Sequence, residues 1–151
     1  AWTVLSVAYP EADVPVIQLS MDARKPISWH FELGRKLRPL REEGILILGS
    51  GNVVHTLAQM EWNIHAKPHD WADRFNDLVI NVIETNTPER LFDHEALGHD
   101  AAMSIPPQDL GHYWPLFYVL GARHDEDKVT INPKHVQYKS LSMMSFLLDC
   151  R

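Results

Sequence analysis

Nine histidines in 151 residues is a high count, and it raises the prospect of metal or acid/base chemistry without locating it. Two of the nine stand apart. His55 follows Gly49-Ser50-Gly51-Asn52-Val53-Val54, directly after an apolar run, so its imidazole is expected near the end of a core strand. There it is either a histidine on a helix face satisfied by ordinary hydrogen bonds or a neutral imidazole offered to a metal. His112 lies in Asp109-Leu110-Gly111-His112-Tyr113-Trp114-Pro115, after a Pro-Pro loop and before two aromatics. That placement suits a histidine held at the rim of a pocket, and equally one that bonds a backbone carbonyl at a helix entry.

The other seven call for less. His65 and His69 are four apart, the spacing of a zinc pair on a helix, but Pro68 between them argues for loop histidines in water. His94 and His99 flank an expected helix end, where the helix dipole favours a cation. His124 and His135 sit among charged and turn residues and are expected to be exposed. His30, beside Trp29, is expected to pack or cap structurally.

The elements that must position His55 and His112 follow from the pattern of apolar residues. Residues 45–48, Ile-Leu-Ile-Leu between glycines, read as a strand buried on both faces. Gly49 and Gly51 allow a sharp turn or a close approach, and Asn52 is a good cap for a helix carrying His55, Leu57 and Met60. Ligands of open α/β sheets bind at that edge, outside the carboxyl ends of the strands. Upstream, residues 1–8 are too short to assign, and residues 14–20 read as a β-branched strand with Pro15 at its start or edge. A helix then runs from Pro26 through Trp29, Leu33 and Leu37 to about Pro39. Downstream, Asp70 caps an amphipathic helix with Trp71, Phe75, Leu78, Val79, Val82 and Ile83 on one stripe. A short helix from Pro88 to about Leu97 ends at Gly98, residues 104–108 form a loop, and residues 116–120 form an apolar helix stopped at Gly121. Residues 128–131 and 136–148 are strand candidates. With no repeat, low-complexity segment or linker, the expectation is a single-domain α/β fold: a central, mostly mixed β-sheet flanked by helices.

Composition narrows the function classes. A formal net charge of −6, with no long basic run, argues against a nucleic-acid surface. No apolar stretch reaches the roughly 20 residues that span a bilayer, and no secretory signal pattern opens the chain. Cys150 is the only cysteine, which precludes an internal disulfide and makes a reducing, cytoplasmic setting the default. Gly49-Ser50-Gly51 invites a dinucleotide reading, but Val54 stands where the third glycine belongs and no acidic residue follows a second strand. A phosphate-binding Gly-Lys-Ser/Thr is absent, and Ser50 lacks the flanking pattern of a nucleophile elbow.

Taken together, several segments resemble one family. They are Tyr9-Pro10-Glu11-Ala12-Asp13 on to Ser20, Trp29 to Leu37, Leu40 to His55, Tyr113-Trp114-Pro115-Leu116-Phe117 on to Ala122, and Ser140-Leu141-Ser142-Met143. They resemble the class III extradiol ring-cleavage dioxygenases, in the branch of the bacterial and plant 4,5-DOPA dioxygenases, along essentially the whole chain. The resemblance implies that this is the C-terminal part of such a fold, with an N-terminal part that carries further metal-binding histidines. It implies that His55 is a metal ligand, and that His112 lies at or next to the metal and moves protons. Fe(II) is then the expected metal, with Zn(II) as an occupant of isolated protein, and the substrates are a catechol and O₂, opened to a muconic semialdehyde. Imidazole suits iron, and a nearby histidine can take and return a catechol proton. The chain departs from the family at Thr56, where asparagine is usual, and at Gln108-Asp109-Leu110-Gly111, where a shorter stretch ends in glutamate. On this reading the polypeptide needs the N-terminal segment or a companion chain. The alternative is a non-catalytic partner subunit or processed fragment, and a nucleotide-binding module is a third class.

Overall fold

The computed structural model describes residues 2–149, so Cys150 lies outside the described residues. Five α-helices and four short strands succeed one another in the order α1 Trp2–Ala8, α2 Ile27–Leu37, α3 Asp70–Thr85, α4 His99–Ser104, α5 Trp114–Gly121, β1 Lys128–Ile131, β2 Val136–Gln137, β3 Leu141–Ser142 and β4 Phe146–Asp149. Among the described residues, no helix is long and apolar enough to cross a membrane.

The core forms where the strongest patterns meet. The stripe of α3 buries Phe75, Val79, Val82 and Ile83, each at most 1% exposed, against Leu91, Ala101, Ile105, Tyr113 and Phe117. A wide apolar face on α3 and an almost wholly apolar α5 have few other ways to leave water. Helices α2 and α5 cross at two glycines: a side chain on Gly34 would run into the Tyr118 carbonyl, and one on Gly121 into the Phe31 carbonyl. Only hydrogen in place of Cβ lets these backbones touch. His30 fills the same contact as a structural residue, fully buried, its Nδ1 bonded to the Tyr118 hydroxyl at 2.9 Å and its ring stacked on Trp114. Burial holds that imidazole below its ordinary pKa.

The sheet component consists of two antiparallel pairs, β1 with β4 and β2 with β3. The long strand expected over residues 136–148 is therefore three short ones, broken where Tyr138 and Lys139 adopt positive φ. Residues 14–20 and 45–48 are extended but sit in no ladder, and their apolar side chains face out: Ile17 is 94% exposed and Leu46 58%. The expectation of a strand at 45–48 buried on both faces is not met within the described residues. An apolar extended run reaches burial only when strands lie beside it, and none here does.

Three further expectations change. Residues 88–91 form one 3-10 turn, and Gly98, at φ 78°, precedes helix α4 instead of ending the one before it. The loop expected at 104–108 runs into a 3-10 helix, Pro107–His112. His124 is half-buried, not exposed, and pairs with Glu42 at 3.4 Å.

The carbonyl end of α5 is closed by arginines. Arg38 donates to the Gly121 carbonyl at 3.1 Å, and Arg41 to the Ala122 carbonyl at 2.8 Å. Arg41 also grips Asp127 with both terminal nitrogens, at 2.6 and 2.9 Å, and the Asp127 side chain is fully buried. Burial pushes that carboxyl up, but the guanidinium and the His124 amide outweigh it and hold it below its ordinary value. A carboxylate whose pKa is lowered on folding adds stability above its unfolded value, about 3.9, and loses it as the pH falls through the folded value. Arg41→Ala should therefore destabilise the chain by about 3–5 kcal/mol at pH 7, because it strands a buried charge. In urea unfolding the gap between variant and parent should narrow as the pH drops below about 4. A gap that stays constant with pH would show that the pair adds no ionic stabilisation.

Candidate metal centre

Residues 49–56 lead inward from the exposed run at 45–48: 49–51 are still exposed, while Val53, Val54 and Thr56 are buried. A Cβ on Gly49 would lie 2.8 Å from the Pro115 carbonyl oxygen, and one on Gly51 would collide with the His112 carbonyl. The next amide uses that same oxygen: Asn52 N–H donates to the His112 carbonyl at 2.7 Å. The Gly-x-Gly spacing thus serves close backbone approach to the segment that bears His112, not the cradling of a phosphate.

Asn52 does not cap a helix. Its Oδ1 accepts the Val54 amide at 3.0 Å, a local turn, while its Nδ2 donates to the Ser142 carbonyl at 3.1 Å. The expected helix from 53 to 60 gives way to irregular chain in which His55 bridges Leu141 and only residues 57–59 form a 3-10 turn. The backbone groups find partners from outside. His55 N–H donates to the Ser104 carbonyl at 2.7 Å, Thr56 N–H to the Ser140 carbonyl at 3.2 Å, and Ser142 N–H to the Val54 carbonyl at 3.0 Å. Side chains reinforce them: Ser140 Oγ donates to the Thr56 carbonyl at 2.7 Å, and Thr56 Oγ1 donates to the carbonyls of Met103 and Ser104. Val53 and Val54 are both buried. His55 is thereby fixed by two segments at once, 103–104 and 140–142.

His112 ends the 3-10 helix Pro107–His112, and Tyr113 anchors it. Tyr113 is fully buried, its ring against Phe117 at 4.9 Å between centroids and near His94 and Phe75. With Tyr113 turned inward, its neighbour His112 is turned outward and exposed. The rings of His55 and His112 lie 4.0 Å apart, centroid to centroid, tilted by 30°.

A third group joins them. One donor atom each from His55, Asp109 and His112 lies within 4.8 Å of the others. Tetrahedral donors around a cation at roughly 2.1 Å are about 3.4 Å apart, so sub-ångström side-chain adjustment would close the set on an ion. The chemistry fits a divalent metal. His55 Nδ1 is buried and, among the described residues, without a hydrogen-bond partner. Burial first, and then the adjacent His112, depress the His55 pKa, which keeps a neutral imidazole with its lone pair free.

The structure thus brings together the two histidines singled out in the sequence and adds Asp109, which the sequence marks only as a neighbour of His112 after the loop at 104–108. The available signal was Asp-x-x-His after Pro106-Pro107, because a 3-10 helix repeats every three residues and sets positions 109 and 112 on one face. The remaining histidines stay apart from this cluster. His69 stacks on Trp71 and bonds the Gln59 carbonyl at 3.2 Å; His94 packs between Phe75 and Tyr113. A cavity of about 590 Å³ is bordered by the exposed run 45–48, His112 and the β4 segment 146–148, but not by His55 or Asp109.

Comparison with known proteins bears on this geometry. Residues 2–148 match the family described as the catalytic LigB subunit of aromatic ring-opening dioxygenase. A 4,5-DOPA dioxygenase extradiol of Escherichia coli K12 is 42% identical over 151 residues, covering 96% of this chain and 54% of that protein. The 4,5-DOPA dioxygenase extradiol of Beta vulgaris is 30% identical over 132 residues, 87% of this chain and 48% of that one. The crystal structure of an uncharacterized protein from Escherichia coli K12 superposes with a TM-score of 0.85 at 42% identity, over 96% of this chain and 59% of its own. The chain therefore spans about half the length of the curated relatives it matches. Sequence and fold agree on one assignment, and the chain belongs to the LigB family of aromatic ring-opening dioxygenases.

Proposed function

We propose that this chain is the C-terminal part of the catalytic domain of a non-haem, metal-dependent extradiol dioxygenase, which opens the ring of a DOPA-like catechol with O₂ to a muconic semialdehyde. The observation that carries the reading is the convergence of His55 and His112, 57 positions apart in the sequence, with their rings 4.0 Å apart beside a buried, unpartnered imidazole nitrogen. Fe(II) is the working metal on this reading, with Zn(II) a competent occupant of the same donors, and the setting is cytoplasmic. The bound ion supplies Lewis acidity and a common site for catechol and O₂.

The protein's own residues do the rest. His55, pinned through its backbone to Ser104 and bridged to Leu141, presents a neutral nitrogen in a fixed direction. His112 is exposed and close by, so it can accept a proton from a catechol hydroxyl and return it to the opened product. The balance needs no further reductant: both oxygen atoms of O₂ enter the product as the carbon–carbon bond next to the diol breaks.

Completion by further polypeptide is part of the reading. The apolar runs 14–20 and 45–48, which sit in no ladder, and the open cavity beside 45–48 are where strands equivalent to the unmatched half of the relatives would pack. A sheet built there would bury the surface now facing water and enclose the metal centre.

Four experiments test this. With Fe(II) and a catechol, the completed protein should consume O₂ in step with the appearance of a yellow semialdehyde. His55→Ala should abolish metal binding, whereas His112→Phe should cut kcat by about 10²–10⁴ with little change in KM; undiminished iron content in the first variant would overturn the assignment. Gly51→Ala should push on the His112 carbonyl, destabilise the chain by about 1–3 kcal/mol, and weaken divalent-metal affinity by about 10–100-fold in equilibrium dialysis. Leu46→Glu should leave the stability of the chain itself within about 0.5 kcal/mol. It should nevertheless weaken, by about tenfold or more, the calorimetric binding of the E. coli relative's unmatched segment; equal binding by both forms would remove residues 45–48 as the docking edge.

A further inference from the structure

We infer that the carbonyl end of α5 carries a binding site for a small oxyanion, a carboxylate or a phosphate, held between Arg38 and Arg123. The inference is independent of the metal centre and of the reaction proposed for it. It starts from a positive charge that the fold buries without a balancing carboxylate.

The arginines drawn in around this end of the molecule are treated differently. Arg41 meets the buried Asp127 carboxylate. Arg123 is only 8% exposed, yet among the described residues its side chain makes one hydrogen bond, to the Ile83 carbonyl at 2.6 Å, and no ion pair. Its Nε is buried and without a partner. Taking a guanidinium out of water is costly unless an opposite charge meets it. Arg38 repeats the pattern: it donates to the Gly121 carbonyl at 3.1 Å, enters no ion pair among the described residues, and also keeps a buried, unpartnered Nε.

Both carbonyls belong to the last turns of helices, Ile83 to α3 and Gly121 to α5, so each guanidinium faces the negative end of a helix dipole. Such an end is equivalent to about half a negative charge. Two ends therefore offset roughly one of the two positive charges and leave about one. That remainder has a place to act, because Arg38 and Arg123 line one cavity of about 300 Å³, with Asn86 and Arg35 beside them. Arg35 is engaged by Glu32 at 3.1 Å. Glu89 and Asp125 border the same cavity, but both are exposed and, among the described residues, neither forms an ion pair. Water solvates those carboxylates and leaves the guanidinia to another anion. Paired oxygens on one centre, as in a carboxylate or a phosphate, match the planar fork of a guanidinium, which a spherical halide does not. An oxyanion held there ties the chain just after α2 to the ends of α3 and α5, and it should stabilise the fold by mass action.

The test is calorimetric titration of the native protein at constant ionic strength, with sodium phosphate and sodium malonate as separate probes and sodium chloride as the control. Saturable binding of phosphate or malonate is expected, with a rise in the thermal unfolding midpoint as the same probe is added. Phosphate alone assigns the site to a phosphoryl ligand, and malonate alone to a carboxylate. Arg38→Gln should weaken that binding by about tenfold or more. Asp125→Asn, an exposed change that leaves the core untouched, should tighten it by about two- to tenfold, because a repelling charge is gone. Arg123→Gln is a poorer variant, since it removes a buried group that closes α3. Absence of saturable binding by either probe overturns the inference, and so does binding that chloride matches or that Arg38→Gln leaves undiminished.

Discussion

The structure depends on one contact between backbones. Residues 49–52 lie directly on the turn that carries His112, with the Asn52 amide donating to the His112 carbonyl at 2.7 Å and no room for a side chain on Gly51. A hydrogen bond of this kind is worth about 1 kcal/mol net in stability, which is modest. Its importance is geometric. It sets the separation between the strand-like segment that ends at His55 and the helix that starts after His112, two parts of the chain with no local reason to meet. Every chemical property assigned to the centre follows from that separation.

The rest of the fold stiffens this contact from both sides. Behind His112, Tyr113 is buried among aromatic rings, and Pro115 begins α5 with its fixed φ. That helix cannot slide, because Gly34 and Gly121 lock it to α2 and arginines close its carbonyl end. Behind His55, the segments 103–104 and 140–142 supply carbonyls and hydroxyls to residues 54–56. Thr56 has a clear part here: its hydroxyl bonds two carbonyls at the end of α4, ties that amide-rich corner together and is itself buried. The centre is thus mounted on irregular chain whose hydrogen bonds are nearly all non-local.

That non-locality decides what could be read from the sequence. Helix α3 was legible because its stripe of Trp71, Phe75, Leu78, Val79 and Val82 repeats at the helical period and needs no distant information. The same holds for α2, α5 and β1, and for His30 as a packed histidine beside Trp29. His55 and His112 were legible as candidates through their flanking residues. The helix expected through His55 does not form, since the amides of His55 and Thr56 bond to Ser104 and Ser140, which only the tertiary fold brings near, and that of Val54 bonds the Asn52 side chain. Asp109 escaped notice because a Pro-Pro segment looks like loop in any local reading, while a 3-10 turn with its period of three is nearly invisible in composition. Gly98 was taken as a helix end, although its positive φ serves equally to launch the next helix.

The run at 45–48 shows how a pattern can be informative when its burial is not realised in the chain that carries it. Four consecutive apolar residues bounded by glycines have the composition of a strand covered on both faces, yet here Ile45, Leu46 and Leu48 face water. Exposed apolar residues in one stretch outside any ladder are an unfavourable combination that natural chains ordinarily avoid at a free edge, because it invites pairing with other strands. The same chain matches only 54% of its E. coli relative and 59% of a structure that it otherwise follows at a TM-score of 0.85. The chain spans about half of its relatives' length, and the apolar run 45–48 lies outside any ladder of the described residues. The glycines that follow it set His55 against His112, so the exposed run and the histidine pair are joined through fewer than ten residues of backbone.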